Sequence, residues 1–243
     1  MNRDQIVVQR THDQLYLSEN RHQDPKELFK FIMNRVTKDN QFLDDKSICD
    51  YGCAAGEFLY YVNTLLPNVK ISGIDILPEL IEKARNFVPS ATLKVGSVLE
   101  ANKGQENSFD IGFLIGVHSI FDEFETAFSN IISWTKPDGK VYISGMFNPF
   151  PLDILVKYRS SEDYNRNVFE SGWNIFSQES VAAYLRKIPK VKSFSFEKFE
   201  ISIDLPRQDD PVRSWTIQTK DDSRHIVNGL QIIQPHYLLE ICL

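Results

Sequence analysis

Clustered basic residues are missing from this 243-residue chain: 27 Lys and Arg stand against 33 Asp and Glu, for a net charge of −6. A nucleic-acid binder needs a basic face to displace counterions from phosphates, so no nucleic-acid partner is expected. Cysteine is scarce too. Cys49, Cys53 and Cys242 are the only three. Their odd number, without Cys/His pairs at ligand spacing, argues against a disulfide framework and a zinc site, and no metal is expected. Long apolar runs are also lacking. None approaches the ~20 residues that span a bilayer, and none follows the polar start Met1 to Gln5, so neither a membrane partner nor a signal peptide is expected. A reducing cytoplasm is the expected compartment. There are no repeats and no low-complexity tracts. What remains is an ordinary globular composition, 42% hydrophobic and 25% charged, long enough for one large domain with or without a lid. Composition leaves the oligomeric state open.

Strands and helices alternate through the first two thirds of the chain. Residues 25–36 read as a helix with Leu28, Phe29, Ile32 and Met33 on one face, Asp24 as its N-cap and Pro25 at its opening position. Ser47 to Asp50 reads as a short buried strand. Phe58, Leu59, Val62, Leu65 and Leu66 then recur at helical spacing, ended by Pro67. Val69 to Asp75, Thr92 to Val95, Phe109 to Ile115 and Lys140 to Met146 read as further strands. Between them lie helices opened by Pro78 and carried by Phe124 to Ile132, and Pro137-Asp138-Gly139 reads as a turn. Such alternation predicts right-handed crossovers and a mostly parallel sheet covered by helices on both sides.

After Met146 the rhythm breaks. Residues 147–176 are irregular and carry Phe147, Phe150, Tyr158, Tyr164, Phe169, Trp173 and Phe176. Residues 206–230 form a second irregular stretch. Long insertions in compact domains are often functional, so both are expected to be substrate lids, although most of the rings could equally serve as core. Lys157, Arg159 and Arg166 would suit an anionic acceptor group. The chain then divides into an N-terminal arm and helix (1–44) and a main domain (45–243). Gln178 to Lys187 reads as a helix, Val191 to Ile203 as extended, and Gln231 to Leu243 as a closing, antiparallel strand.

In an open parallel sheet, ligands bind at the carboxyl ends of the strands near the switch point. The first strand-to-helix turn is Asp50-Tyr51-Gly52-Cys53-Ala54-Ala55-Gly56-Glu57. A dinucleotide fingerprint counted from Gly52 would place its second glycine at Ala54 and its third at Glu57. A carboxylate there, with Asp50 on the same turn, would repel a pyrophosphate. S-adenosylmethionine (SAM) has no phosphate and carries an ammonium and a sulfonium, which suit an acidic turn. Asp75 ends the second strand, where an acid can accept both ribose hydroxyls.

With these motifs, and with Asn107-Ser108-Phe109-Asp110 before strand four and Lys136-Pro137-Asp138-Gly139-Lys140 before strand five, the chain resembles the class I SAM-dependent methyltransferase family over roughly residues 45–147. The resemblance implies a Rossmann-like three-layer α/β sandwich with a seven-stranded, mostly parallel sheet and an antiparallel last strand. It implies that SAM is the cofactor and S-adenosylhomocysteine the product. Asp50, Gly52, Cys53, Ala54 and Gly56 would hold the methionine part, Asp75 the ribose and Ile76 the adenine. Ser97 stands where the family often has an acid for the adenine amino group, and Val98 and Gly116 complete the expected cofactor set.

Methyl transfer to a hydroxyl gains from a general base. His118, just after strand four, is the candidate, with a helix-capping role as its alternative. Asp122 and Glu123 read as the first turn of the next helix, His236 as structural, and His225 as part of the second insertion. Tyr16 and Arg21 belong to an arm that could close over SAM. The expected reaction is methylation of a small molecule, favoured at oxygen; a faint likeness of the tail to surface-polysaccharide methyltransferases suggests a sugar or nucleotide sugar. A non-catalytic SAM-binding protein and a nicotinamide oxidoreductase are the competing readings.

Overall fold

The strand segments are apolar along most of their length, as strands covered on both faces must be. A computed structural model describes residues 15–18, 22–39, 43–100, 105–166 and 169–243. The main strands are β1 (Ser47–Tyr51), β2 (Lys70–Asp75), β3 (Thr92–Val95), β4 (Phe109–Ile115), β5 (Thr135–Asn148), β6 (Ser193–Lys198) and β7 (His236–Cys242). They lie in the order β3-β2-β1-β4-β5-β7-β6. β1 to β5 pair in parallel, with Ile48 opposite both Ile71 and Ile111. β7 runs antiparallel to β5 and to β6, with Leu239 opposite Ile143 and Phe196. A short strand, Phe176–Ser177, adds to the far end of β5.

Helices α1 (Glu27–Asp39), α2 (Glu57–Leu65) and α3 (Pro78–Phe87) cover one face; α4 (Glu125–Trp134) and α5 (Gln178–Leu185) cover the other. Strand alternation divides the side chains between two cores. Ile48, Phe113, Tyr142 and Leu238 pack with α1 and α2, whereas Cys49, Leu114, Ile143 and Leu239 pack with α4 and α5. All three cysteines are free thiols.

Several expectations shift. Helix α1 starts at Glu27 rather than Pro25, because its first backbone bonds run from Phe29 and Lys30 to the carbonyl of Lys26. The Pro137-Asp138-Gly139 turn is absorbed into β5 as an irregularity. Phe109 pairs with Thr135 and Ile111 with Lys140, and Asp138 turns the chain at φ 63°. Residues 206–230 are not irregular throughout. Trp215–Gln218 and Arg224–Val227 form an antiparallel hairpin, and its Ile226 packs with Phe199, Ile201 and Phe31 of α1. Of the described rings in the 147–176 segment, Phe147 and Phe176 are core, Phe150 and Phe169 are exposed, and Tyr158 and Trp173 half-buried; the Tyr164 side chain lies outside the described residues. Among the described residues, no helix is long and apolar enough to cross a membrane.

Candidate active site

The strand order reverses between β1 and β4, so the loop after β1 opens into the crevice beside β4. That loop turns left-handed three times, at Gly52 (φ 83°), Ala54 (φ 46°) and Gly56 (φ 78°). The amides of Gly52 and Cys53 both donate to the Ile74 carbonyl at the end of β2, at 2.7 and 3.0 Å. A Cβ on Gly52 would lie 2.4 Å from Val117 Cγ2, and one on Gly56 would lie 3.0 Å from the Ala84 Cβ of α3. Glycine is therefore required at both positions by φ and by space. Ala54 adopts the left-handed turn despite its methyl group. Cys53 is buried with its thiol facing the Gly73 backbone; burial pushes that thiol well above its ordinary value.

Two acids frame the loop. Asp75 Oδ2 accepts the Ala54 amide at 2.9 Å and its Oδ1 accepts the Leu77 amide at 3.0 Å. Those two bonds fix the carboxylate at the end of β2. Asp50 is 2% exposed, and its Oδ1 has no hydrogen-bond partner. Burial, with help from the charge of Asp75, pushes its carboxyl up to about 8. A buried carboxyl without a counter-charge is a place for a cation. Beyond β4, Gly116 (φ 72°) has nothing within 4 Å of where a Cβ would stand. An orphaned acid, an open cradle at Gly116 and a fixed acid at Asp75 fit a ligand with an ammonium, a sulfonium and a ribose diol.

The rest of the expected set divides. Ile76 is 36% exposed beside Asp75, as an adenine platform requires. Ser97 Oγ already accepts the Leu99 amide at 3.1 Å, so only its proton is free to give. Val98 lies with the α4-side core, and its carbonyl accepts from Asn130. Its side chain is buried in that core.

His118 is fully buried, stacked on Phe147 at 4.6 Å and edge-on to Phe128. Its Nε2 lies 3.4 Å from the Met146 carbonyl and from Ser119 Oγ, while Nδ1 has no partner. Burial lowers the ring to about 4. The left-handed Gly116 and the 3₁₀ turn His118–Ile120 direct this ring into the α4-side core. The structure thus encloses the expected base in aromatic rings, out of reach of solvent. His236 sits at the start of β7, opposite Met146. It is half-buried, shares the α1 face with Leu238 and Asp50, and its Nδ1 lacks a partner. Burial takes it down to about 4 as well. Ser144, buried on the same face two residues from Tyr142, has an orphaned Oγ. Sequence reasoning passed over Ser144; its signal was a lone hydroxyl within an otherwise apolar strand.

Other candidates are anchors. Asp122 binds Lys157 at 2.6 Å and Asn174 at 3.2 Å, tying the 147–176 segment to the turn after β4. Glu123 accepts the Thr126 amide at the start of α4. Arg159 lies over the Phe169 ring at 4.9 Å, and the Arg166 side chain falls outside the described residues. His225 contacts Ser223 on the hairpin. Lys83 of α3 donates to the Tyr16 and Leu17 carbonyls, which docks the short helical turn Leu15–Ser18 against α3; Arg21 lies outside the described residues. His22, also passed over, stacks on Phe87 at 3.5 Å and is edge-on to Tyr60.

A model of the methyltransferase domain family matches residues 43–199. No curated protein matches the chain in sequence. Solved structures do match in fold. One is the methyltransferase complex of the Haloferax volcanii Trm112 methyltransferase activator, with TM-score 0.62, 13% identity, and coverage of 97% of this chain and 98% of that one. A second is Haemonchus contortus phosphoethanolamine N-methyltransferase 2, solved with S-adenosylhomocysteine, with TM-score 0.63, 12% identity, and coverage of 97% and 59%. A third is the YcgJ protein of Bacillus subtilis, with TM-score 0.54, 14% identity, and coverage of 86% and 97%.

Proposed function

The chain belongs to the methyltransferase domain family and is a SAM-dependent methyltransferase, and from that premise we propose that it methylates a hydroxyl of a small molecule, of the sugar or nucleotide-sugar kind. The observation that carries this reading is the half-buried His236, opposite Met146 on β5, with the orphaned hydroxyl of Ser144 two residues earlier on that strand and on the same sheet face.

When bound, SAM supplies a methyl group on a sulfonium, a good leaving group displaced in line. The residues around it bind, orient and exclude water. In this reading Asp50 faces the ammonium with the Gly52–Gly56 turn wrapped around the methionine part, Asp75 accepts the ribose hydroxyls, Ile76 packs on the adenine, and Ser97 donates to it. Gly116 leaves the crevice open where donor and acceptor meet. Ser144 orients the acceptor hydroxyl, and His236 takes its proton. A weak base suffices there, because a hydroxyl becomes strongly acidic only as its oxygen gains the methyl group. His236 thus inherits the base role expected of His118, and His118 acts by packing under β5. Segments 147–176 and 206–230 wall the acceptor side.

Product formation tests the reading: S-adenosylhomocysteine release is measured against matched panels of hydroxyl and amine acceptors led by sugars and nucleotide sugars. Turnover confined to hydroxyl acceptors, slowed by His236→Ala with SAM affinity unchanged, is the expected result. Turnover confined to amines would sink it. If His118→Asn alone removed the pH dependence of turnover, the base role would return to His118.

A further inference from the structure

The 206–230 insertion holds a hollow of its own, away from the cofactor loop. Its volume is about 380 Å³, within the size range of small-ligand sites. Trp215 and Val227, paired across the hairpin, form its floor. Ile217 and Ile233 form apolar walls and are 42% and 57% exposed, unusual for large aliphatic side chains around a concavity.

Three polar side chains line the hollow beside these apolar groups: Arg207, Asn228 and Gln231. Arg207 lies over the Trp215 ring, 5.2 Å from its centroid. It has no carboxylate partner among the described residues, whereas Arg224 on the same hairpin is paired with Asp204 at 2.9 Å. Asn228 is 1% exposed and lines the hollow. Its Oδ1 accepts the Leu230 amide at 3.1 Å, which fixes the orientation of the side-chain amide. Its Nδ2 therefore points the other way, buried and without a partner. Buried donors are almost always satisfied. A stacked, unpaired guanidinium and an orphaned amide share one hollow, and none of its described lining residues is acidic.

The hollow adjoins the reaction edge. Ile233 bridges to Val227, and three residues later the chain reaches His236 opposite Met146, roughly 10 Å along an extended backbone. We propose that this hollow is a recognition site for the anionic group of the methyl acceptor, a phosphate or carboxylate carried on a sugar-like ring. Arg207 and Asn228 Nδ2 bind the oxygens, and Trp215 with the two isoleucines packs on the apolar face of the ring. This rests on the small-molecule reading above only in identifying the ligand with the acceptor.

The test uses the whole protein and follows Trp215 fluorescence while glucose 1-phosphate, methyl glucoside and inorganic phosphate are titrated separately. SAM binding is measured by calorimetry on the same preparations. Glucose 1-phosphate is expected to give a saturable change, about tenfold tighter than either fragment, that Trp215→Phe abolishes. Arg207→Gln, at an exposed position, should weaken it roughly tenfold or more. Asn228→Asp keeps the acceptor for Leu230 but replaces the donor with an oxygen, and should weaken it at least as much. SAM affinity should stay unchanged in every variant. Wild-type protein that binds SAM but shows no saturable response to glucose 1-phosphate overturns the proposal, as does Arg207→Gln binding as tightly as wild type. Inorganic phosphate binding as tightly as glucose 1-phosphate overturns the ring component. Loss of SAM binding with glucose 1-phosphate binding intact would remove the methyltransfer reading and leave the site standing.

Discussion

Glu240 and Asp50 are both buried carboxyls on the α1 face of one sheet, and they are treated in opposite ways. Glu240, midway along β7, accepts Arg35 Nε at 3.0 Å and Lys140 Nζ at 2.7 Å. At the amino edge of β4, burial works against Asp110, yet Lys136 and Ser47 hold its carboxyl far below the usual range. Lys190 there is bonded to the Ile132 and Thr135 carbonyls. At the carboxyl edge, Asp50 and Ser144 are buried and His236 half-buried, each with a buried atom that has no partner. A protein that pairs its ions at one edge of a sheet and leaves polar groups unmatched at the other has been shaped for stability at the first and for a ligand at the second.

The comparison can be broken most directly by neutralising the two carboxyls. Asp50→Asn should lower SAM affinity by roughly 10–100-fold, the scale for a hydrogen bond to a charged group. It should also raise the stability of the free protein at alkaline pH. The folded state holds Asp50 up at about 8 against about 3.9 in an unfolded chain. The native state therefore binds the extra proton between these values, and wild-type stability falls as pH rises through them. The stability gained by Asp50→Asn should grow over the same window in urea titrations. Glu240→Gln should do the reverse and cost about 1–3 kcal/mol at neutral pH, because Arg35 and Lys140 lose their shared anion while keeping part of their solvation. If both variants changed stability in the same direction, the contrast would fail.

Smaller effects sharpen it. Asp75→Ala should weaken SAM by about 1–3 kcal/mol in calorimetry; an unchanged affinity removes the ribose role. His118 and His236 are both held down at about 4 by burial, against about 6.5 when unfolded. Their contribution to stability is complete above 6.5 and lost as pH falls through 4. Thermal melts of Asp50→Asn, free of the opposing carboxyl, should fall steeply across that range. Ala54→Gly should be the mildest change, within about 1 kcal/mol of wild type, because relief of the left-handed turn offsets the added freedom of glycine in the unfolded chain.

The turn after β1 was legible in the sequence because its geometry is local. Gly52, Gly56 and Asp75 are set by strand ends and turn geometry, and the structure brings them together at the expected edge. The sheet was legible for the same reason. The burial of His118 was not, because one left-handed residue, Gly116, decides which face the following side chains meet, and a single-residue change reverses that face. The hairpin at 215–227 was hidden by four-residue strands around a polar turn, though the alternation of Trp215, Thr216 and Ile217 was its trace. Ser144 and His236 acquire meaning only through β7 returning antiparallel beside β5, a pairing of distant segments that local pattern does not contain.

The measurement closest to the central claim is calorimetric titration of the free protein with SAM from pH 6 to 9 in buffers of different ionisation heat. The account predicts binding that strengthens as pH rises toward about 8 and releases a proton below it, as the ammonium draws Asp50 into its charged form. Folded protein that binds no SAM, or binds it with no proton released at any pH, would contradict the account.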